Sequence, residues 1–198
     1  MIEKRDIDVF LSIYDICSQG SKVLGPGVRY VIWTQGCPFQ CEGCATPASR
    51  PISKDHLVSI SDLAEDVLSR PYIDGLTISG GEPFLQAGTL ASLLEIIEEK
   101  RPELTVLAFS GYQLEALNWP EAQRLLSHLD LIIDGPYRQD LNDDKGLRGS
   151  SNQHFHFLTP RLLSWKDELY NGKRKVEIHL SNSRNKVYGI PSKAMLSI

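Results

Sequence analysis

Apolar residues recur along this chain in two alternating rhythms. "VRYVIWT" (28–34) is a nearly unbroken run of β-branched and aromatic residues, which predicts a buried strand. "IDGLTISGGEP", "LTVLAFSGY" and "LDLIIDGP" repeat the signature, and each ends in small or polar residues. Between these runs the apolar positions move to helical spacing. "SISDLAEDVLSR" (59–70) opens on a Ser-x-x-Asp capping pattern and puts Leu63, Val67 and Leu68 on one face. "TLASLLEIIEEKRP" predicts a helix that stops at Pro102, and "EAQRLLSHL" another. Residues 8–16 alternate loosely as a strand, "LGPG" (24–27) is a turn, and "HFHFL" and "KVEIHLS" are short strand candidates. Strands alternating with helices of about 9–14 residues imply βα units and a mostly parallel sheet. Chemistry in such sheets sits at the C-terminal ends of the strands. The cysteines, "SGGEP", "SGY" and "DGP" each follow a predicted strand, so they should gather on one rim.

Composition narrows the class. A chain of 198 residues with 41% hydrophobic content suits one domain spanning 1–198, its core motifs lying at about 20–158 and the segment 160–198 less sharply patterned. There is no internal repeat and no low-complexity linker. The net charge of −4 comes from acids and bases mixed along the chain, without the basic block of a nucleic-acid or anionic-membrane binder. In "MIEKRDIDVFLSIYDICSQG" acids interrupt the apolar stretch and no small-residue cleavage site follows, so it reads as a strand rather than a signal peptide. No run approaches the ~18–20 apolar residues of a spanning helix. The expectation is a cytoplasmic protein with reduced thiols, where clustered cysteines bind metal or do redox chemistry.

Three of the four cysteines fall in "CPFQCEGC": Cys37, Cys41 and Cys44, spaced C-x3-C-x2-C. A disulfide would leave one thiol over. A structural zinc site wants four ligands, and the nearest histidine, His56, lies 12 residues beyond Cys44 outside any regular zinc pattern. A [4Fe–4S] cluster on three thiolates leaves one iron open to a substrate or cofactor. Cys17 sits in the first strand pattern and reads as a small buried hydrophobe. In "SGGEP" (79–83), Gly80 and Gly81 admit close approach of a ligand to the backbone, with space at Gly81 meant for that ligand. Pro83 stiffens the exit, and Glu82 is an acceptor suited to an ammonium. The alternative is an ordinary βα turn; a phosphate loop is disfavoured because no Gly-Lys-Ser/Thr follows.

C-x3-C-x2-C after a strand, then "SGGEP" after the next, resembles the radical S-adenosylmethionine (SAM) superfamily. "GPGVRYVIWTQGC" looks like the entry to the cluster loop of glycyl-radical-enzyme activases. "FSGYQLEAL", "LIIDGPY" and "LRGSSNQ" are similar to activases that serve the anaerobic ribonucleotide reductase, in the same order. The resemblance implies an α/β fold with a partial, six-unit (β/α)6 radical SAM barrel, because full (β/α)8 barrels take ~250 residues. It implies a [4Fe–4S] cluster on Cys37, Cys41 and Cys44, whose open iron chelates SAM. Reductive cleavage of SAM then yields a radical that takes the α-hydrogen of a glycine on a glycyl radical enzyme, in the first instance an anaerobic ribonucleotide reductase. The electron would come from a low-potential donor such as flavodoxin or ferredoxin. The alternatives are a small radical SAM maturase acting on another peptide or a small molecule, and a non-catalytic metal-binding module.

The resemblance also implies that Ser79, Gly80, Gly81 and Glu82 meet the methionine portion of SAM, and that the rim carrying Ser110 and Asp134 adds SAM contacts. In the pyruvate formate-lyase activase that rim also holds a monovalent cation. Asp134 has a plain alternative as a turn cap. Arg148 is suited to a bidentate carboxylate, and Asn152 to the SAM ribose or to holding its own loop. His154 and His156 share one strand face, as a metal pair or as a partly exposed surface. Three positions depart from the family pattern: Ala45-Thr46 replace an aromatic or histidine followed by asparagine, Glu82 stands where Asp is frequent, and Pro136 replaces a lysine.

Overall fold

The computed structural model describes residues 9–180 and 185–192. Residue 8 of the first expected strand and Ser181 of the last lie outside the described residues. The fold is mixed α/β with a largely parallel central sheet. β1 (Phe10–Ser21) and β2 (Arg29–Thr34) are antiparallel neighbours. Then come β3 (Leu57–Ser59), α1 (Ile60–Leu68), β4 (Gly75–Gly80), α2 (Ala87–Lys100), β5 (Thr105–Phe109), α3 (Pro120–Leu126) and β6 (Leu131–Asp134). β7 (His154–Phe157), α4 (Lys166–Asn171) and the hairpin β8 (Val176–His179) and β9 (Lys186–Gly189) complete the order. The seven-stranded sheet runs β3-β1-β2-β4-β5-β6-β7. β2, β4, β5 and β6 are parallel; β1 and β7 flank them antiparallel, and β3 pairs antiparallel with β1 at the edge.

Two of the helices start at signals the sequence offers. Ser59 Oγ accepts from Ser61 N–H and caps α1, and Pro120 opens α3 at a position that needs no N–H. The strands alternate between two cores. Ile32, Ile78, Ala108 and Ile132 face α1, α2 and α3 in the larger core. Val31, Trp33, Leu107 and Ile133 face the other way, toward Leu162, Leu169 and Tyr188 from the C-terminal part of the chain. Arg29 is fully buried near the N-terminal end of that second face. Its guanidinium donates to Thr77 Oγ1, Thr105 Oγ1 and the carbonyls of Pro26, Leu76 and Thr105, which closes this end of the sheet with a satisfied cation. The opposite end, where the parallel strands finish, is left for loops. No described helix is long and apolar enough to cross a membrane.

Candidate metal centre

The loop after β2 carries the three cysteines, and its base is tied down on both sides. Gly36 N–H donates to Ser49 O at 2.8 Å and Cys37 N–H to Arg50 O at 2.9 Å. Thr46 Oγ1 donates to Gly80 O at 3.0 Å, so Thr46, one of the departures from the family pattern, braces the glycine loop. The glycine loop is bonded to the cysteine loop through backbone. Gly81 N–H donates to Thr34 O at 2.8 Å and Glu82 N–H to Gly36 O at 2.7 Å. Gly80 has φ +107°, and a Cβ there would lie 2.4 Å from Thr34 N. A Cβ on Gly81 would lie 2.2 Å from Gly36 O. Both glycines are therefore required by the approach of two backbones. For Gly81 this corrects the sequence reading, because the space beside its α-carbon is filled by Gly36 and not by a ligand.

Cys37, Cys41, Cys44, Ser79, Gly80, Gly81, Glu82 and Ser110 line one cleft of about 520 Å³. That size is ordinary for a small-molecule site. The three thiols are half-buried and free. Burial pushes Cys37 and Cys41 up, against N–H donors from Phe39 to Cys37 and from Tyr137 to Cys41. A cationic metal reverses that cost, since coordination deprotonates a thiol, and N–H bonds to sulfur tune a cluster's potential. Three sulfur donors in one cleft, with no fourth cysteine among its lining residues, fit a cubane that keeps one iron open. Cys17 is buried with Leu24, Val31, Trp33 and Tyr188 and does not line the cleft.

Glu82 is 1% exposed. Its carboxylate accepts from Phe84 N–H (3.0 Å), Ser110 Oγ (3.0 Å) and Gly111 N–H (2.7 Å). It therefore knots the β4 loop to the β5 loop, and about one of its roughly four lone-pair sites remains for a ligand. Burial pushes this carboxyl up to about 7, against those three donors. Between its ordinary 4.5 and about 7, the folded chain holds a proton that the unfolded chain has released. Stability of the iron-free protein should therefore fall by roughly 3 kcal/mol as pH rises through that window. Glu82→Gln should flatten that part of the profile in urea denaturation at a series of pH values. An unchanged slope would show that Glu82 stays ionised.

Other expected residues lie elsewhere. Asp134 does not line the cleft: Ile132 and Asp134 share the face of β6 toward the helices, and Asp134 Oδ2 accepts from Leu114 N–H at 2.6 Å. Its position is that of the turn cap. Arg148 pairs with Asp143 of its own loop at 2.9 Å, and Asn152 Nδ2 donates to Pro136 O at 2.8 Å, so both hold loop structure outside the cleft lining. Gly149 and Gln153 of the same segment do line it. Sequence reasoning missed Phe39, whose ring meets Tyr112 edge-on at 4.9 Å and covers Gly111. It also missed the wall made by β8 and β9. Tyr188 stacks on Trp33 at 5.3 Å, and Lys186 Nζ reaches Asp15 Oδ1 at 2.5 Å. Phe39, two residues after Cys37, was within reach of inspection; the stacking of residues 33 and 188 left no sequence signal.

Residues 23–156 match the family model described as a 4Fe-4S single cluster domain. Over 150 residues the chain is 33% identical to the anaerobic ribonucleoside-triphosphate reductase-activating protein of Enterobacteria phage T4, covering 74% of this chain and 93% of the relative. The chain belongs to the glycyl-radical-enzyme activases. It is also 31% identical to the Escherichia coli K12 protein of the same name, over 69% of this chain and 92% of that one. It is 29% identical to the pyruvate formate-lyase-activating enzyme of Staphylococcus aureus USA300, over 74% of this chain and 61% of that one. As an activase of the radical SAM type, the protein is an enzyme that generates glycyl radicals, with a [4Fe–4S] cluster and SAM as cofactors.

Proposed function

We propose that this activase serves an anaerobic ribonucleotide reductase and removes the α-hydrogen of one glycine in that partner. One observation carries the choice of partner. The chain takes in 93% and 92% of two activators named for the ribonucleoside-triphosphate reductase, but 61% of the one named for pyruvate formate-lyase. When bound, the cluster and SAM supply the one-electron chemistry that breaks a carbon–sulfur bond and takes up a hydrogen atom.

The chain's own residues do the rest. Cys37, Cys41 and Cys44 would hold three irons and leave the fourth for SAM. Glu82 offers its remaining acceptor site to an ammonium, while Ser110 and Gly111 fix the carboxylate's direction. Ser79, Gly80 and Gly81 bring backbone to the ligand's side of the cleft. Phe39, packed edge-on against Tyr112, forms an apolar part of the same rim. Asp134, Arg148 and Asn152 act in this reading through the loops they hold and not by contact. Taken as one domain over residues 1–198, the strands would curl into a partial barrel, open on one side. The four parallel strands, the three helices on one face and the cleft at the strands' C-terminal ends support it. A glycine must come within the ~3–3.5 Å of a near-attack geometry, and an open side admits it on an extended segment of the partner. A low-potential flavodoxin or ferredoxin in the cytoplasm completes the reading.

The test places deuterium on the partner's glycine α-carbon. Anaerobic incubation with this protein, SAM and a low-potential reductant should carry the label into 5′-deoxyadenosine. On unlabelled partner it should leave a glycyl doublet in electron paramagnetic resonance. SAM cleavage with label taken only from another peptide or a metabolite would assign the protein to a maturase role.

A further inference from the structure

The face of β6 and β7 turned away from the cysteine cleft carries a second group of metal-ligating side chains. His154 and His156 are two apart on β7, so their imidazoles share one face of the strand. The register of β6 against β7 sets Asp134 opposite His154 and Ile132 opposite His156, which places His156 diagonally from Asp134. His154 Nδ1 lies 3.5 Å from Asp134 Oδ1, and His156 Nε2 lies 3.1 Å from Asp134 Oδ2. One ligand atom from each of the three residues falls within 4.8 Å of the others.

A second observation is independent of that clustering. The Asp134 side chain is 2% exposed, yet among the described residues its Oδ1 has no hydrogen-bond donor, and the buried Nε2 of His156 has no hydrogen-bond partner. Leu114 N–H satisfies only Oδ2. Leaving a buried carboxylate oxygen unsatisfied costs its full desolvation, so something else is expected to meet it. Each imidazole approaches a different carboxylate oxygen, at 3.5 Å to Oδ1 and 3.1 Å to Oδ2, near the roughly 3.3–3.6 Å between neighbouring donors about an ion at 2.0–2.2 Å. Two imidazoles and one carboxylate suit a borderline first-row ion, whereas hard alkali or alkaline-earth ions take oxygen donors.

We infer that Asp134, His154 and His156 form a second metal site, for a divalent first-row transition ion such as Zn²⁺, which pins the edge strand β7 to β6. None of the three lines the cysteine cleft, so the site is distinct from the cluster. The ion would meet Oδ1, to which no described group donates a hydrogen bond. Solvent would fill the fourth position, on the side where His154 is 66% exposed. The site's consequence for the cleft is mechanical. Tyr137, Asn142, Gly149 and Gln153, which lie between β6 and β7 in sequence, line the cleft, and clamping the two strands fixes both ends of that segment. The inference does not depend on which enzyme the activase serves.

The test uses cluster-loaded protein, so that iron occupies the cysteines. Anaerobic titration with Zn²⁺ against a chromophoric chelator should find one equivalent bound with the iron content unchanged. His154→Ala and His156→Ala should each weaken that binding by about a hundredfold, since loss of even an outer partner costs 10–100-fold. Zn²⁺ should raise the thermal midpoint of the wild type and leave both variants unmoved. Asp134→Asn tests the carboxylate, and the exposed His154 and half-buried His156 keep the experiment decisive if that variant misfolds. Absence of zinc at micromolar free metal, zinc that displaces iron in proportion, or an affinity indifferent to both histidine substitutions would each overturn the site.

Discussion

Alanine at Cys37, Cys41 or Cys44 is expected to abolish SAM cleavage, while Cys17→Ala retains it. The three thiols line one cleft on a loop held at its base by Gly36, Cys37 and Thr46. A cubane left with two protein thiolates has a second iron open and loses the single defined position for SAM. Iron and sulfide should fall together with activity in each of the three variants. Cys17 is 2% exposed in the apolar company of Leu24, Val31, Trp33 and Tyr188. Its loss removes one sulfur's packing, about 1 kcal/mol by analogy with small core truncations, and none of the iron. Iron analysis and SAM turnover on the four variants decide the matter. A Cys17 variant as iron-poor as the others would break the three-ligand assignment.

The second large effect belongs to Gly81→Val. Sequence logic alone assigns it a loss of SAM with iron spared. The structure reverses the second half. A Cβ would stand 2.2 Å from Gly36 O, a backbone atom that no rotamer change can move aside. Gly36 precedes Cys37 and also accepts the Glu82 N–H, so relief of the clash must shift the cysteine loop itself. We expect roughly 2–4 kcal/mol of destabilisation, with iron uptake and SAM binding lost together. Iron content and SAM affinity measured on one preparation separate the outcomes. A variant with full iron and weakened SAM would restore the simpler view that Gly81 only makes room for ligand.

Much of the scaffold was readable because burial on both faces leaves an unbroken apolar run. β2, β4, β5 and β6 announce themselves this way, and α1 and α3 are marked by Ser59 and Pro120. Strand direction was not readable. β1 and β7 run antiparallel to their neighbours, yet period-2 alternation is the same in either sense. β3 is three residues long, too short for any periodicity, and β9 gives no apolar run. In the candidate site, the cysteines and the glycine loop were legible because both depend on local chemistry. Asp134 was placed on the rim by its position at a strand end. Counting parity from Ile133, which faces the same core as Leu107, would have turned it toward the helices. Arg148 had a local partner in Asp143 only five residues away, and charge spacing within a loop carries no periodic signal. Glu82's bonds to Ser110 and Gly111 depend on two loops meeting in space, which no single segment records.

The contrast between these two parts of the site has a consequence for how the protein is made. All three sulfur donors come from eight consecutive residues, so gathering them closes a very short loop. The carboxylate knot instead joins residues 28 and 29 apart and exists only once β4 and β5 are paired. Closure entropy rises only as the logarithm of loop length, but the knot also waits for a crossover helix to dock between its two halves. Metal capture is thus a local event and creation of the SAM-facing wall a global one. The bonds of Glu82 to Ser110 and Gly111 are made between protein groups alone, so removal of iron should leave the paired strands and that wall in place.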